Sequence, residues 1–293
     1  MSLSVATHSG PFHADDVLAV ALLRVFVDQQ ATVLRTRDLE RIAQADVVVD
    51  VGGLYDPAAR RFDHHQASYT GSFSSAGMVL AWLAESAQVR PAVADRLRIG
   101  VVSYVDDVDN GRRSPDPGVP CFPVIVQALN QPASSLPEFD AAFQGAVVMA
   151  EAMVRGIVAA QDAEDHARDI VAAQMDRAGS EGSNLILLDE YVRWKAPYFE
   201  MGGAGHCTEF VIHPGPDGSW RAAAIPPVRD SFAQKRSLPE PWAGLTDGEL
   251  EAVTGVKGAR FCHKNRFIAV FETRAGLLEA MAGAGMILGP VPA

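Results

Sequence analysis

The 293-residue sequence predicts an α/β protein with an N-terminal, mainly parallel sheet flanked by helices and a smaller C-terminal α+β domain. Short strand-like runs at 4–7, 32–35 and 46–50 predict the first sheet. An apolar, helix-like segment at 17–27 follows the first of them. Strands that alternate with helices are typical of crossover-connected parallel sheets.

A polar, glycine-containing run at 179–184 predicts the boundary between the two domains. Between Pro137 and Arg177 no proline occurs and apolar residues recur at helical spacing, which predicts one long connecting helix. We therefore expect one domain at 1–178, including that helix, and a second at 185–293. A hairpin and a terminal helix are expected within the second.

Composition excludes several classes of protein. The three cysteines form no CxxC pair, which argues against a disulfide framework or a structural zinc site. No signal peptide is evident and no apolar run reaches membrane-spanning length, so we expect a cytoplasmic protein without a membrane partner. The net charge of −11 argues against broad binding to long nucleic acid, but leaves short oligonucleotides open. A homodimer is one option for the oligomeric state.

Acidic and histidine residues gather in four expected loops. Parallel strands end at one edge of a sheet, so we expect these loops to meet. Carboxylates and imidazoles together favour manganese or magnesium, with zinc or iron as alternatives. Two ions about 3.5–4 Å apart would share an activated hydroxide and clamp a phosphoryl group, and Asp50 suits the bridge. The four groups are His8, His13 and Asp15; Asp50; Asp63, His64 and His65; and Asp106, Asp107 and Asp109.

Some of these residues also have a simpler interpretation. Asp63 could orient a neighbouring histidine. His65 could contact substrate rather than metal. The run Asp109-Asn110-Gly111 could form a plain turn.

Several longer motifs are more specific. They are HSGPFHADD at 8–16, VDVGGLYDP at 49–57, RFDHHQ at 61–66 and VDDVDNG at 105–111. Shorter ones follow: AIP at 224–226, SF at 231–232, LP at 238–239, WAGL at 242–245 and FCH at 261–263. In these motifs the chain resembles, over nearly its whole length, the melanocyte-proliferating-gene (Myg/Gamm, UPF0160-type) family, a branch of the DHH phosphoesterase superfamily.

The resemblance implies a DHH-type catalytic domain, a C-terminal substrate-binding domain and a cleft between them. It implies manganese- or magnesium-dependent phosphodiester hydrolysis by an exonuclease-like enzyme acting on RNA, short oligonucleotides or nucleotides. Asp63, His64 and His65 would be the catalytic motif, with His65 facing the phosphate. The implied ligands are His8 and His13 for one ion, Asp15 and His64 for the other, Asp50 as the bridge, and either Asp106 or Asp107 to complete the set.

The sequence departs from the family pattern in two places. His13 stands where many DHH enzymes have an aspartate, which alters the donor set of the first ion. Family members usually continue the FCH segment into FIGG, but Ala269-Val270 replaces the glycine pair, which removes an easy backbone approach to phosphate. Arg236 and His263 are then the candidates for substrate binding, and the run 202–206 resembles a phosphate-binding turn in composition.

Two other functions stay open. A metal-dependent amide or protein hydrolase would use the same centre on a carbonyl, although no HExxH motif is present. A non-catalytic metal-bound scaffold would account for the missing glycine pair. The segment 226–274 carries eight basic and six acidic residues, and this local sign change favours a phosphate-holding role for the C-terminal domain.

Overall fold

The computed structural model describes residues 2–291 and has a mixed α/β fold. The chain forms two compact units, Met1–Gln161 and Asp162–Ala293. Each contains a five-stranded sheet with flanking helices. The division between the units falls within a 46-residue helix, Leu136–Glu181, which also includes the first residues of the polar run at 179–184.

The sheet of the first unit has the strand order β2-β1-β3-β5-β4. Its strands are β1 Ser4–Thr7, β2 Thr32–Arg35, β3 Val47–Val49, β4 Tyr55–Asp56 and β5 Arg61–Phe62. Strand β1 pairs in parallel with β2 and β3, β3 pairs in parallel with β5, and only β4 is antiparallel. The carboxyl ends of β1, β3 and β5 therefore lie side by side at one edge.

Seven helices belong wholly or partly to this unit in the described chain. They are α1 Ala14–Phe26, α2 Leu39–Ala43, α3 Ser75–Glu85, α4 Pro91–Leu97, α5 Ser103–Asp109, α6 Phe122–Asn130 and α7 Leu136–Glu181. Helix α1 is buried on all sides from Ala14 to Leu23, so its two aspartates are buried with it. Proline at the first position of α4 suits a helix start, because its missing N–H has no intrahelical partner there.

The acidic cluster at 106–109 lies in a helix rather than in the expected loop. A π-helical segment, Arg98–Val102, connects α4 to α5 and carries helical structure onward to Asp109. Successive helical residues point about 100° apart, given 3.6 residues per turn. The aspartates of this cluster therefore face different surroundings.

Helix α7 has a window of mean hydropathy 1.4 that is long and apolar enough to cross a membrane by length and composition. The sequence suggested no such run because charged residues such as Glu151 interrupt it. Core helices of soluble proteins satisfy the same criterion. Five side chains of its first half are fully buried in the first unit's core: Phe143, Ala146, Val147, Ala150 and Val154. One stripe of this half therefore packs against protein, although only 28% of the apolar window is buried.

The second unit has a mixed sheet of order β6-β7-β8-β10-β9. Its elements are β6 Leu185–Leu187, α8 Lys195–Glu200, β7 Phe210–Pro214, β8 Trp220–Ala224, α9 Asp247–Thr254, β9 Ala259–Cys262, β10 Ile268–Phe271 and α10 Arg274–Gly283. Only β6 and β7 pair in parallel, and β7 and β8 form the predicted hairpin. Helices and mainly antiparallel strands make this an α+β unit.

Candidate metal centre

Three adjacent strand ends deliver most of the side chains of the centre. His8 follows β1, Asp50 follows β3, and Asp63, His64 and His65 follow β5. Helix α1 starts directly after His13, whose backbone N–H donates to Oδ1 of Asp16 at 3.0 Å. This turn fixes the start of α1 and buries Asp15 and Asp16 beneath the strand ends.

A first group of donor atoms comprises His8, His13 and Asp50. Ligand atoms of all three lie within 4.8 Å of one another. Nε2 of His8 lies 3.2 Å from Oδ2 of Asp50 and 3.4 Å from Oδ2 of Asp16. Two imidazoles and one or two carboxylates thus converge on one point.

A second group surrounds Nε2 of His64. This nitrogen lies 3.0 Å from Oδ2 of Asp109, 3.4 Å from Oδ1 of Asp50 and 3.9 Å from Oδ2 of Asp15. Asp50 therefore directs one oxygen towards His64 and the other towards His8. This is the placement that a carboxylate bridging two ions requires.

The backbone of Asp50 is held in an unusual conformation. Its φ of 55° lies in the left-handed region, which aspartate tolerates better than most side chains. Its N–H donates to the carbonyl of Phe62 at 3.0 Å, so the neighbouring strand fixes the turn. Backbone strain of this kind gathers at functional sites, where the surrounding structure has to maintain it.

Several polar atoms of the centre are buried without hydrogen-bond partners. They are Oδ1 of Asp15, Oδ2 of Asp16, Oδ2 of Asp50 and Nε2 of His64. The last two approach neighbouring charged groups closely, but without hydrogen-bond geometry. Buried polar atoms are normally paired, so a converging set of unpaired donors calls for a missing partner. A divalent cation fits, because it supplies the positive charge that these carboxylates lack.

The pKa values show the same excess of negative charge. Burial and the charges of Asp50 and Asp109 raise the pKa of Asp15 well above its usual value, and burial raises the pKa of Asp16 to about 7. Burial alone would lower the pKa of His64, but contacts with Asp109 and Asp50 raise it to about 11. Without a cation, the centre therefore retains protons.

Asp63 orients its neighbours. Its Oδ2 accepts the N–H of Gly53 at 2.6 Å, and its Oδ1 lies 2.7 Å from Nδ1 of His65. The His65 side chain is 60% exposed while that of Asp63 is buried, so Asp63 holds an accessible imidazole in place.

Asn110 fixes the ring of His64. Its Nδ2 donates to the carbonyl of Asp106 at 2.9 Å, which leaves its Oδ1 to accept from Nδ1 of His64 at 3.3 Å. Nε2 is then directed to the centre, as metal-ligating histidines require.

Within residues 2–291, Asp106 and Asp107 belong to none of the ligand groups, whereas Asp109 does. Oδ1 of Asp106 accepts hydrogen bonds from the N–H of Ser74 at 2.9 Å, its hydroxyl at 2.7 Å and the N–H of Gly77 at 3.1 Å. Asp107 pairs with Arg112 at 2.9 Å near the surface. Of these three aspartates, Asp109 lies among the candidate ligand atoms, with His13 and Asp15.

Arg236 and His263 have internal contacts in the second unit. Arg236 pairs with Glu209 at 3.3 Å and donates to the carbonyl of Gly285 at 2.9 Å. Nδ1 of His263 accepts the N–H of Asn265 at 3.0 Å, and its ring lies on Phe267. Both side chains therefore already make contacts within the second unit.

The glycine-rich run 202–206 is a packing turn. A Cβ on Gly203 would collide with the ring of Tyr198. The ammonium of Lys235 donates to the carbonyls of Gly203 at 2.6 Å and His206 at 2.8 Å. These contacts account for the glycine and for the compact turn without a bound phosphate.

Two clefts adjoin the centre, and both are lined in part by His13. A polar cleft of about 370 Å³ is lined by His8, His13, Arg37, Asp50, Val51, Gly52, Gly53, Asp63, His65 and Gln66. A second cleft of about 430 Å³ is called the apolar cleft because most of its lining residues are apolar; these residues are Phe12, His13, Ala14, Val105, Val108, Asp109, Pro115, Pro123, Val126, Gln127 and Asn130. A polar substrate group and an apolar one therefore both find space at the centre.

Sequence reasoning assigned no role to Arg37, Asp16 or Asn110. Arg37 lines the polar cleft, with its guanidinium 3.5 Å from Nδ1 of His8. Asp16 and Asn110 lie inside the motifs at 8–16 and 105–111, so their position beside predicted ligands was the available signal. Arg37 had no comparable signal, because only the parallel pairing of β1 and β2 brings it near His8.

Fold and site together define a protein with a histidine–aspartate centre, suited to divalent cations, at the carboxyl edge of a parallel sheet. The chain belongs to the uncharacterised protein family UPF0160, whose model MYG1_exonuc matches residues 4–286. It is 38% identical over 281 residues to the MYG1 protein of Chlamydia muridarum (strain MoPn / Nigg), covering 95% of each chain. It is 33% identical to the MYG1 exonuclease of Rattus norvegicus, covering 98% of this chain and 86% of the relative. The MYG1 exonuclease of Homo sapiens is 32% identical, with 94% and 84% covered.

Proposed function

We propose that this protein is a divalent-metal-dependent phosphodiester hydrolase that acts as an exonuclease on RNA or short oligonucleotides, with a DHH phosphoesterase arrangement. The observation that carries the proposal is Asp50, whose two oxygens face two separate donor groups. The relatives named exonuclease support the same reaction class.

The donor atoms divide into two ligand sets. His8, His13 and Asp50 would hold one cation. Asp15, Asp50 and Asp109, whose oxygens surround Nε2 of His64, would hold the other together with His64. Both sets contain imidazole nitrogens. Because magnesium prefers ligands that are all oxygen atoms, these nitrogens favour manganese. Bound cations of this kind supply Lewis-acid charge to a phosphoryl oxygen and lower the pKa of water.

The side chains around the ligands would position the substrate. His65, accessible and oriented by Asp63, can donate a hydrogen bond to a phosphate oxygen. Arg37 would neutralise phosphate charge in the polar cleft, since a guanidinium matches phosphate geometry well.

The apolar cleft would take the terminal nucleobase. There Asn130 donates from Nδ2 to the carbonyl of Phe12 at 2.8 Å, which leaves its Oδ1 buried and unpaired. This hydrogen bond fixes Asn130 and Phe12 in the wall of the cleft.

The test is a hydrolysis assay on short RNA labelled at either the 5′ or the 3′ end, with Mn²⁺, with Mg²⁺ and with EDTA. We expect stepwise release of mononucleotides with Mn²⁺ and none with EDTA. Asp109→Ala should abolish release, whereas Asp107→Ala is the matched control and should retain it. Release that continues in EDTA, or cleavage of a peptide in place of RNA, would refute the proposed function.

A further inference from the structure

The second unit has a cleft that neither the metal centre nor the predicted substrate residues use. Its volume is about 290 Å³, and it is lined by Tyr191, Arg193, Trp194, Lys195, Ala196 and Arg229. Aromatic and basic side chains combined in one cleft are typical of surfaces that bind single-stranded nucleic acid.

The segment 191–195 presents its side chains alternately to the core and to solvent. Val192 and Trp194 are only 7% and 5% exposed and pack in a core cluster with Tyr198. Tyr191, Arg193 and Lys195 are exposed. The buried residues anchor the segment, so the exposed ones are held on a supported backbone.

The two acids that precede Tyr191 in the chain pair with side chains outside this cleft. Asp189 pairs with Arg274 at 3.4 Å, and Glu190 pairs with His166 at 2.8 Å. Within the described chain, Arg193, Lys195 and Arg229 form no ion pair. In a chain of net charge −11, three cations without ion-pair partners at one cleft suit an anionic ligand.

Tyr191 provides a face for stacking. Its ring lies against His213, with centroids 5.1 Å apart, yet the residue is 60% exposed. Phe232, in the loop that also contains Arg229, is fully exposed. Exposed aromatic rings beside cations suit a ligand that carries both flat bases and phosphates.

We propose that this cleft binds a single-stranded oligonucleotide, with Arg193 and Arg229 contacting backbone phosphates and Tyr191 stacking on a base. The inference deepens the proposed nuclease function, on which it rests for the identity of the strand. In this proposal the cleft binds the substrate in the second unit, in place of Arg236 and His263, whose side chains already have partners within that unit.

The test is fluorescence anisotropy of the full chain with a labelled RNA decamer in EDTA, over a range of salt concentrations. Arg193→Ala/Arg229→Ala should weaken binding at least about tenfold and reduce the salt slope by about 1.4, from two lost phosphate contacts on a single strand. Tyr191→Ala should weaken binding by about tenfold and Tyr191→Phe should restore it, because the stacking face remains. Lys257→Ala, an exposed cation outside the cleft, is the matched control and should bind as the wild type does.

Unchanged binding by the double variant, or no binding by the wild type, would overturn the inference. Equal affinity for the matching DNA decamer supports it, because stacking and phosphate contacts do not require a 2′-hydroxyl. Competition by poly-glutamate together with normal binding by Tyr191→Ala would overturn it in favour of an acidic protein partner. If the decamer binds through the cleft but Mn²⁺ releases no nucleotide, the nuclease proposal fails alone. If RNA is hydrolysed while the double variant binds normally, the cleft assignment fails alone.

Discussion

Replacing Asp106 and Asp109 separately should give two different defects, although they lie three residues apart on one helix. Asp106→Ala removes an acceptor of three hydrogen bonds at the start of α3 and leaves their donors buried. Each unsatisfied buried donor lowers the free energy of unfolding by about 1–3 kcal/mol. Because the surrounding structure relaxes in part, we expect a total loss of about 3 kcal/mol for the three donors. For a unit of this size, that corresponds to a loss of about 6–12 °C in Tm.

Asp109→Ala should leave the stability of the metal-free protein nearly unchanged. It removes the contact with His64 at 3.0 Å, but it also removes a negative charge that raises the pKa of Asp15. These effects oppose each other. Its metal affinity should fall at least about tenfold, since even outer-shell changes at metal sites cost that much.

The assay combines thermal unfolding in EDTA with Mn²⁺ titration of each folded variant. Asp107→Ala is the surface control and should change neither quantity, because its partner Arg112 is also near the surface. The assignment would be refuted if Asp106→Ala lost metal affinity at unchanged Tm, or if Asp109→Ala kept wild-type affinity.

Three further predictions concern the same centre. Mn²⁺ binding should release protons, because the pKa of His64 near 11 means that this histidine carries a proton that must leave before a cation binds. The affinity for Mn²⁺ should therefore rise by about tenfold per pH unit for each proton released. Calorimetry in Tris and in HEPES should give different enthalpies of binding, because the two buffers take up the released protons with different heats. Asp63→Ala should lower kcat by about 10²–10⁴ while two ions still bind, because the proposed role of His65 in the reaction depends on its orientation by Asp63. Steady-state kinetics combined with metal analysis test this, and an unchanged kcat would contradict it. Arg37→Ala should raise KM about tenfold or more with little change in kcat. Arg41→Ala, at an exposed position on α2, serves as the control. A KM of Arg37→Ala equal to that of the wild type would exclude Arg37 from substrate binding.

Much of the fold could be predicted from local patterns. The apolar strands 4–7 and 47–49 and the fully buried helix α1 depend on residues close in sequence. Grouping His8, Asp50 and His64 needed one general rule, that parallel strands end at the same edge. The structure brings these three residues together.

The remaining details depend on three-dimensional contacts that sequence spacing does not encode. Whether Asp106 or Asp109 faces His64 depends on the π-helical segment that sets the rotation of α5. The contacts of Arg236 with Glu209 and Gly285 join residues far apart in the chain. The count of basic and acidic residues predicts a slightly basic segment in the second unit. Which of the basic side chains form ion pairs depends on the packing of the folded chain.

The most direct test of the central claim, that Asp50 serves two cations at once, is the Mn²⁺ stoichiometry of the wild type and of Asp50→Asn by equilibrium dialysis. The wild type should bind about two ions per chain. The variant should lose occupancy at both positions, because the amide has one oxygen and no charge in place of the carboxylate that faces both donor groups. The substitution keeps the size and the left-handed backbone tolerance of the side chain, so folding should persist. A wild-type stoichiometry near zero, or a folded variant that still binds two ions, would contradict the account.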